Sequence, residues 1–146
     1  MKISAGLQKD YPKIAKWICD NLPKVKDNCK VFSAFQKYSE QNKQVSAQAL
    51  TAGNNPMIDF RHMPGANGEF EGDAHPETVF IAKDICQKFQ NSPADAKDKR
   101  MHLLVESTIL HEMVHWGDWK DGVDQPEEEG KEFEKAAYGK DIDRYW

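Results

Sequence analysis

The sequence predicts an α+β fold, built as one domain over residues 1–146. Three features predict it: apolar residues at helical spacing in the first third, alternating polarity at residues 57–63, and a long helical pattern late in the chain. The 146 residues are 39% hydrophobic and 30% charged, which is typical of a folded globular chain with a hydrophobic core.

Helices are predicted for residues 10–21, 25–40 and 45–51. In the first of them, Pro12 suits a first helical turn. The third is expected to end at Gly53, where NNP follows. The apolar residues expected to form the core from these helices are Ile14, Trp17, Ile18, Val31, Phe32, Phe35 and Tyr38.

Residues 57–63 alternate in polarity, which predicts a strand. The stretch 64–73 (PGANGEFEGD) contains three glycines and is expected to be a loop. Residues 78–86 are apolar and β-branched, so they predict either a second strand or a strand that runs into a short helix.

The longest helical pattern runs from about Ala96 to Trp116, and Gly117 with the rest of GDWKDG is expected to end it. A last helix is predicted to start after Pro126 and to end at Gly139, since glycine commonly follows a helix C-terminus. The expected order is therefore helices, a small sheet and two further helices.

Charge and hydropathy exclude several classes of protein. The formal net charge is −4 and no basic stripe carries interleaved aromatics, so a nucleic acid partner is not expected. Neither a signal peptide nor a membrane span is indicated, which predicts synthesis in the cytoplasm and, if the chain is exported, a dedicated secretion route. Three cysteines without a CxxC pair indicate neither a disulfide framework nor a thiolate zinc site.

The long helix carries the motif HEMVH, with His111 and His115 four residues apart and Glu112 directly after the first histidine. Residues i and i+4 share one face of an α-helix, so the two imidazoles can converge on one metal ion. The carboxylate at i+1 lies about 100° round the helix, where it can reach a metal-bound water without joining the ligands. Zinc would acidify that water, and Glu112 would take its proton and pass it to the leaving amine.

A surface helix with two solvated histidines is the alternative explanation of this motif. The face that carries His111 and His115 also carries Leu104 and Thr108, which is not expected of a face that points wholly to water. The sequence therefore favours a metal site.

HEMVH resembles the HExxH helix of the zincin metallopeptidases, and this resemblance implies a small zincin-like domain that binds Zn²⁺. The branches of the zincins differ in the third protein ligand. The metzincin continuation is xxGxxH, or xxGxxD in a rare branch; here Asp118 stands at the glycine position, Asp121 at the ligand position, and Gly117 is one residue early. In aspzincins an aspartate precedes a Tyr-Gly pair by three residues, and here Lys135 stands at that position.

Gluzincins take a glutamate from a second helix packed on the first. Glu129 with Gly130 and Phe133 resembles the E-(A/G)-x-x-F pattern around that ligand, in which the small residue lets the helices approach and the phenylalanine anchors the second helix. Glu132 is the alternative third ligand. A negatively charged first helical turn explains other glutamates without any ligand. The candidates in the acidic run are Glu127, Glu128, Glu129, Glu132 and Glu134.

The same resemblance suggests two further roles. Tyr138 is a candidate donor to the oxyanion, with core packing as the alternative. TVFIAK, residues 78–83, is a candidate for the edge strand along which zincins bind an extended substrate, although an ordinary sheet strand would have the same composition.

About the last fifty residues, with HExVHWGD, DWKDG and EExGxxFExxxYG, resemble the metallopeptidase toxin domains of bacterial polymorphic toxins and type VI secretion effectors. The resemblance implies a zinc endopeptidase that is secreted into a target cell, acts on a protein or peptide substrate, and has a cognate immunity protein in the producing cell. One alternative is a zinc amidase that cuts a cell-wall peptide. Another is a non-catalytic binding module that keeps the motif as a scaffold.

Overall fold

Helices and strands are mixed along the chain in an α+β arrangement, which confirms the predicted fold class. The computed structural model describes residues 1–120 and 128–146. In chain order the described elements are β1 (Lys2–Ile3), α1 (Ala5–Asp10), α2 (Pro12–Asn21), a 3₁₀ segment (Leu22–Asp27), α3 (Cys29–Tyr38), α4 (Lys43–Ala49), β2 (Met57–Arg61), β3 (Gly68–Phe70), β4 (Thr78–Ala82), α5 (Lys83–Asn91), α6 (Pro93–Ala96), α7 (Lys99–Lys120) and α8 (Glu128–Tyr138).

The four strands form one sheet in the order β1-β2-β4-β3. Strands β1, β2 and β4 are parallel, and β3 is antiparallel to β4 with Glu69 opposite Phe80. Arg61 at the end of β2 reaches across to β3, where its guanidinium lies 3.0 Å from the Glu69 carboxylate. The predicted strand at 57–63 is confirmed, and the stretch 78–86 is a strand that runs into a helix.

The edge of the sheet differs from the prediction in two ways. Strand β4 lies inside the sheet between β2 and β3, so residues 78–83 include an ordinary inner strand and are not the edge strand for which they were a candidate. The edge strand next to β4 is β3, which lies inside the stretch expected to be a loop. Its three residues are too few to show an alternating pattern, and their pairing depends on a contact made elsewhere in the fold. A Cβ on Gly68 would lie 2.7 Å from Thr108 Cγ2, so β3 rests directly on α7.

Helix α7 is buried on nearly every side, because β3, β4, α3 and α8 all pack on it. A helix buried in this way has polar residues that must find partners inside the protein. Among its buried residues are Met101, Leu104, Val105, Thr108, Ile109, Leu110, Glu112, Met113, Val114, His115, Trp116 and Asp118.

Helix α7 also continues past Gly117 to Lys120, so the expected stop at this glycine was wrong. A glycine can stand within a helix at a cost of about 1 kcal/mol relative to alanine. Here it admits the C-terminal end of α3, since a Cβ on Gly117 would lie 2.8 Å from both the backbone oxygen and the Cβ of Ser39.

Helix α8 is held by Phe133, whose side chain is fully buried and packs edge-on against Phe35 of α3 at a ring-centroid distance of 6.4 Å. The helix packs on α3 and α7. Its predicted end is confirmed, because Gly139 follows it with a φ of 81°. Among the described helices, none combines the length and the apolar composition needed to cross a bilayer.

Replacing Gly117 by alanine is expected to lower the free energy of unfolding by about 1–3 kcal/mol, although alanine is the better helix former. The added Cβ would meet a backbone oxygen of Ser39, which can move only if the end of α3 shifts. Chemical denaturation of the variant and the parent protein measures the difference.

Gly6→Ala in α1 is the matched control, since among the described residues a Cβ there would meet only Phe60 Cε1, at an ordinary contact distance of 3.7 Å. This variant should keep its stability or gain up to about 1 kcal/mol. Equal effects of the two substitutions would contradict the close contact between α7 and Ser39.

Candidate active site

The two histidines of the motif lie on one face of α7, with ring centroids 5.1 Å apart and the ring planes at 59°. His115 is buried, and the side chain of His111 is one-fifth exposed. The motif therefore lies at the boundary between the core and a cleft, and not on a solvated surface. Two imidazoles at this separation suit a shared metal ion.

Glu112 is buried and lines the cleft. Burial raises the pKa of its carboxyl to about 7; the charge of His111 acts in the opposite direction, while Glu69 and Glu134 add to the rise. A carboxyl that gains and loses its proton near neutral pH is suited to general acid–base catalysis.

His115 is held in the neutral form that metal ligands need. Burial lowers the pKa of its imidazole to about 4, the neighbouring His111 adds to the lowering, and Asp118 opposes it. Its Nδ1 is buried and has no hydrogen-bond partner among the described residues. A neutral, buried imidazole of this kind fits a metal-binding role.

His111 forms a hydrogen bond with a residue of α8. Its Nδ1 lies 2.7 Å from Oε1 of Glu134, whose side chain is nearly buried. Burial acts to lower the pKa of His111, but the hydrogen bond with Glu134 and the charges of Glu112 and Glu134 outweigh it, so that its pKa is raised. The other oxygen of Glu134 accepts the backbone N–H of Ile142 at 2.7 Å.

The backbone of α8 packs against the His111 ring at Gly130. A Cβ on this residue would lie 2.2 Å from Nε2 of His111 and 2.5 Å from two carbons of the same ring. No side chain therefore separates the His111 ring from the backbone of α8 at this point. Together with the buried Phe133, this is the packing that the resemblance to the gluzincin pattern implies for these two residues.

The two candidate third ligands lie elsewhere on α8. Carboxylate oxygens of Glu129, Asp118 and Glu40 lie within 4.8 Å of one another, a grouping that could hold a metal ion. Glu132 is exposed. Neither Glu129 nor Glu132 is among the described residues that line the cleft, so the choice between them remains a prediction. Asp121 and Glu127, also considered from sequence, lie outside the described residues.

Tyr138 donates a hydrogen bond from its hydroxyl to Glu106 of α7 at 2.8 Å. Burial raises the pKa of this hydroxyl, and Glu106 raises it further. Tyr138 is not among the described residues that line the cleft. Its role as an oxyanion donor therefore remains a prediction.

The cleft has two adjoining lobes that share Gly65, Gly68, His111, Glu112 and Lys131. The first lobe, about 660 Å³, is closed on one side by residues 141–144. The second, about 590 Å³, is bordered by β3 and by His115. Sequence reasoning gave no role to Lys131 or to residues 141–144, because only the fold brings them to the motif.

No curated protein and no solved structure matches this chain. The family described as Metallopeptidase toxin 3 matches residues 7–139, a span that contains the motif of α7 and the whole of α8. The resemblance to metallopeptidase toxin domains predicted from the last fifty residues is thereby confirmed. Since the match covers nearly the whole sequence, the chain belongs to the metallopeptidase toxin 3 family.

Proposed function

We propose that the protein is a zinc endopeptidase with a zincin-like site, in which His111, His115 and Glu129 hold the metal and Glu112 is the general base. The observation that carries this proposal is the buried face of α7 with His111, Glu112 and His115, which lies where the two lobes of the cleft meet. A metallopeptidase family agrees with the donor set of two imidazoles and a carboxylate.

Glu112 would transfer protons during the reaction, at the place where the two lobes meet. When bound, zinc would supply a Lewis acid that acidifies a water molecule and polarises the scissile carbonyl. The Glu112 carboxylate would take up the proton of the attacking water and return it to the leaving amine. A pKa of about 7 suits both transfers, because the carboxylate is basic enough to take up a proton and the carboxyl is still acidic enough to release it near pH 7.

The packing of α8 supports Glu129 as the third ligand. Glu129 directly precedes Gly130, the residue whose backbone meets the His111 ring, and this order matches the E-(A/G)-x-x-F pattern around the third ligand of gluzincins. In this structure its carboxylate lies with those of Glu40 and Asp118. Glu132 remains the alternative, on the exposed side of the same helix turn.

An extended peptide is the substrate that the second lobe fits best. Strand β3 borders this lobe, and its outer edge pairs with no strand among the described residues. A peptide could add to that edge by main-chain hydrogen bonds, which recognise any sequence in extended form. Gly68 places the strand against Thr108 and Glu112, so such a peptide would pass beside the general base.

A toxin family supports delivery into a target cell and a cognate immunity protein in the producer. The polar lining of the first lobe, with Asn67, Lys131 and Asp141, also suits a cell-wall peptide. An amidase that acts on such a peptide is therefore the second candidate function.

Metal analysis is expected to find one zinc per chain in the parent protein, and none in His111→Ala or Glu129→Ala, because each removes a ligand. Glu132→Ala should keep its zinc. Loss of zinc with Glu132→Ala, and retention with Glu129→Ala, would move the third ligand to Glu132. A parent protein that takes up no zinc would overturn the proposal.

Glu112→Gln is expected to lower kcat at least about 10²-fold and to leave the zinc content unchanged, because the amide cannot accept the proton. Mass spectrometry of a peptide library made from bacterial proteins measures turnover. Undiminished turnover would contradict the general-base role. Peptide release from peptidoglycan, with an uncut library, would favour the amidase.

In zinc-free protein, Glu112→Gln should raise the free energy of unfolding at pH 8 by up to about 3 kcal/mol, since one pKa unit corresponds to about 1.4 kcal/mol. The folded-state pKa of about 7 lies above the reference value of 4.5, so the ionised carboxylate destabilises the fold above pH 7. Below pH 4.5 the carboxyl is protonated in both states and the difference should vanish.

Urea denaturation between pH 4 and pH 8 measures this difference, with the exposed Glu132→Gln as control. That control should change stability by no more than about 0.5 kcal/mol at any of these pH values. If Glu112→Gln raised the free energy of unfolding equally at pH 4 and pH 8, the destabilisation could not come from the ionised Glu112 carboxylate.

A further inference from the structure

Glu134 bonds directly to His111, and the proposed ligand set and general base leave it without a role. Its Oε1 lies 2.7 Å from His111 Nδ1, and its Oε2 accepts the N–H of Ile142 at 2.7 Å. The side chain is 9% exposed. Among the described residues, His111 is the only ion-pair partner that Glu134 has.

The chemistry of this hydrogen bond fixes the state of the His111 ring. A carboxylate oxygen accepts the hydrogen bond that an imidazole N–H donates, so the 2.7 Å contact is satisfied by a proton on Nδ1 of His111. The lone pair of a neutral His111 is then on Nε2. Metal-bound histidines generally donate their other ring N–H to a carboxylate or carbonyl, which holds the ring in the orientation that the metal needs.

Glu134 is placed to support a ligand and not to serve as one. The two nitrogens of an imidazole point away from each other, so a group bonded at Nδ1 lies across the ring from Nε2. Both carboxylate oxygens already accept a hydrogen bond inside the fold. The side chain of Glu134, which belongs to α8, therefore links the backbone of Ile142 to His111 of the motif.

We propose that Glu134 is a positioning residue for the metal site: it keeps His111 protonated on Nδ1, presents Nε2 to the metal, and is itself fixed by the backbone of Ile142. This inference rests on the proposed function, because it assigns His111 as a ligand. It adds a residue that the ligand set and the general base do not include.

Only a carboxylate can satisfy both donors, which makes Glu134→Gln the informative substitution. The amide has nearly the same shape but only one accepting oxygen. If that oxygen accepts from Ile142, the amide NH₂ faces Nδ1 and favours the His111 tautomer with its proton on Nε2, which blocks the metal. If it accepts from Nδ1, the bond from Ile142 is lost.

The test is zinc affinity, measured by competition with a chromophoric chelator, for the full chain and for Glu134→Gln. We expect zinc binding to weaken about 10- to 100-fold, which is typical for loss of such a partner. The visible spectrum of the cobalt(II)-substituted protein should also change, a readout that a merely structural role would not move.

Glu106→Gln is the matched control. Glu106 also joins α7 to α8 through a part-buried carboxylate. Among the described residues it accepts one side-chain hydrogen bond, from Tyr138, which an amide oxygen can equally accept. Its zinc affinity should stay within twofold of the parent protein, and its cobalt spectrum should not change. Weakening in both variants to the same extent would overturn the specific role of Glu134.

Two results separate this inference from the proposed function. Zinc binding by Glu134→Gln within twofold of the parent, with the same cobalt spectrum, would overturn the inference alone. No zinc binding by the parent protein would overturn both. If Glu134→Gln does not fold, nitrogen-15 NMR of the zinc-loaded parent decides: a proton on His111 Nδ1 supports the inference, and one on Nε2 overturns it.

Discussion

The site depends on the contact between the His111 ring and the backbone of Gly130. Because no side chain separates them, α8 comes close enough to α7 for the carboxylate of Glu134 to reach Nδ1 of the same ring. The buried Phe133 holds α8 in that position from the other side, against α3. Helix α8 therefore determines the surroundings of the motif on α7. Its Gly130 allows the close approach, its Phe133 anchors it in the core, and its Glu134 supplies the carboxylate.

Burial on α7 acts on three neighbouring titratable groups in different directions. It raises the pKa of Glu112 and lowers that of His115, while the pKa of His111 rises because Glu134 and Glu112 outweigh burial. Each shift follows from what surrounds the group and not from its type alone. Opposed shifts within one helical turn are typical of sites that move protons or bind metals. The burial of Glu112 and His115 also makes the metal-free fold less stable than an apolar helix in the same place would be.

Sequence predicted the parts of the fold that local periodicity determines. The helices at α2 and α3 and the strand β2 follow from apolar spacing, and the packing roles of Gly130 and Phe133 follow from the resemblance of EGKEF to a known pattern. The continuation of α7 past Gly117 could not be predicted, because it depends on the arrival of Ser39 from α3. The partner of His111 likewise depends on how α8 packs, since several glutamates in one run are equivalent by spacing alone.

Both edges of the sheet are very short strands, with two residues in β1 and three in β3. Long open edges invite copies of a protein to pair with one another and aggregate, and short ones limit this. Strand β3 also carries Glu69, which is tied to Arg61 of β2 and places a charge at the edge. An edge of this length can hold a few residues of another chain but offers too little backbone to start a sheet between molecules. The shortness of β3 therefore limits pairing between copies of the protein at the edge beside the cleft.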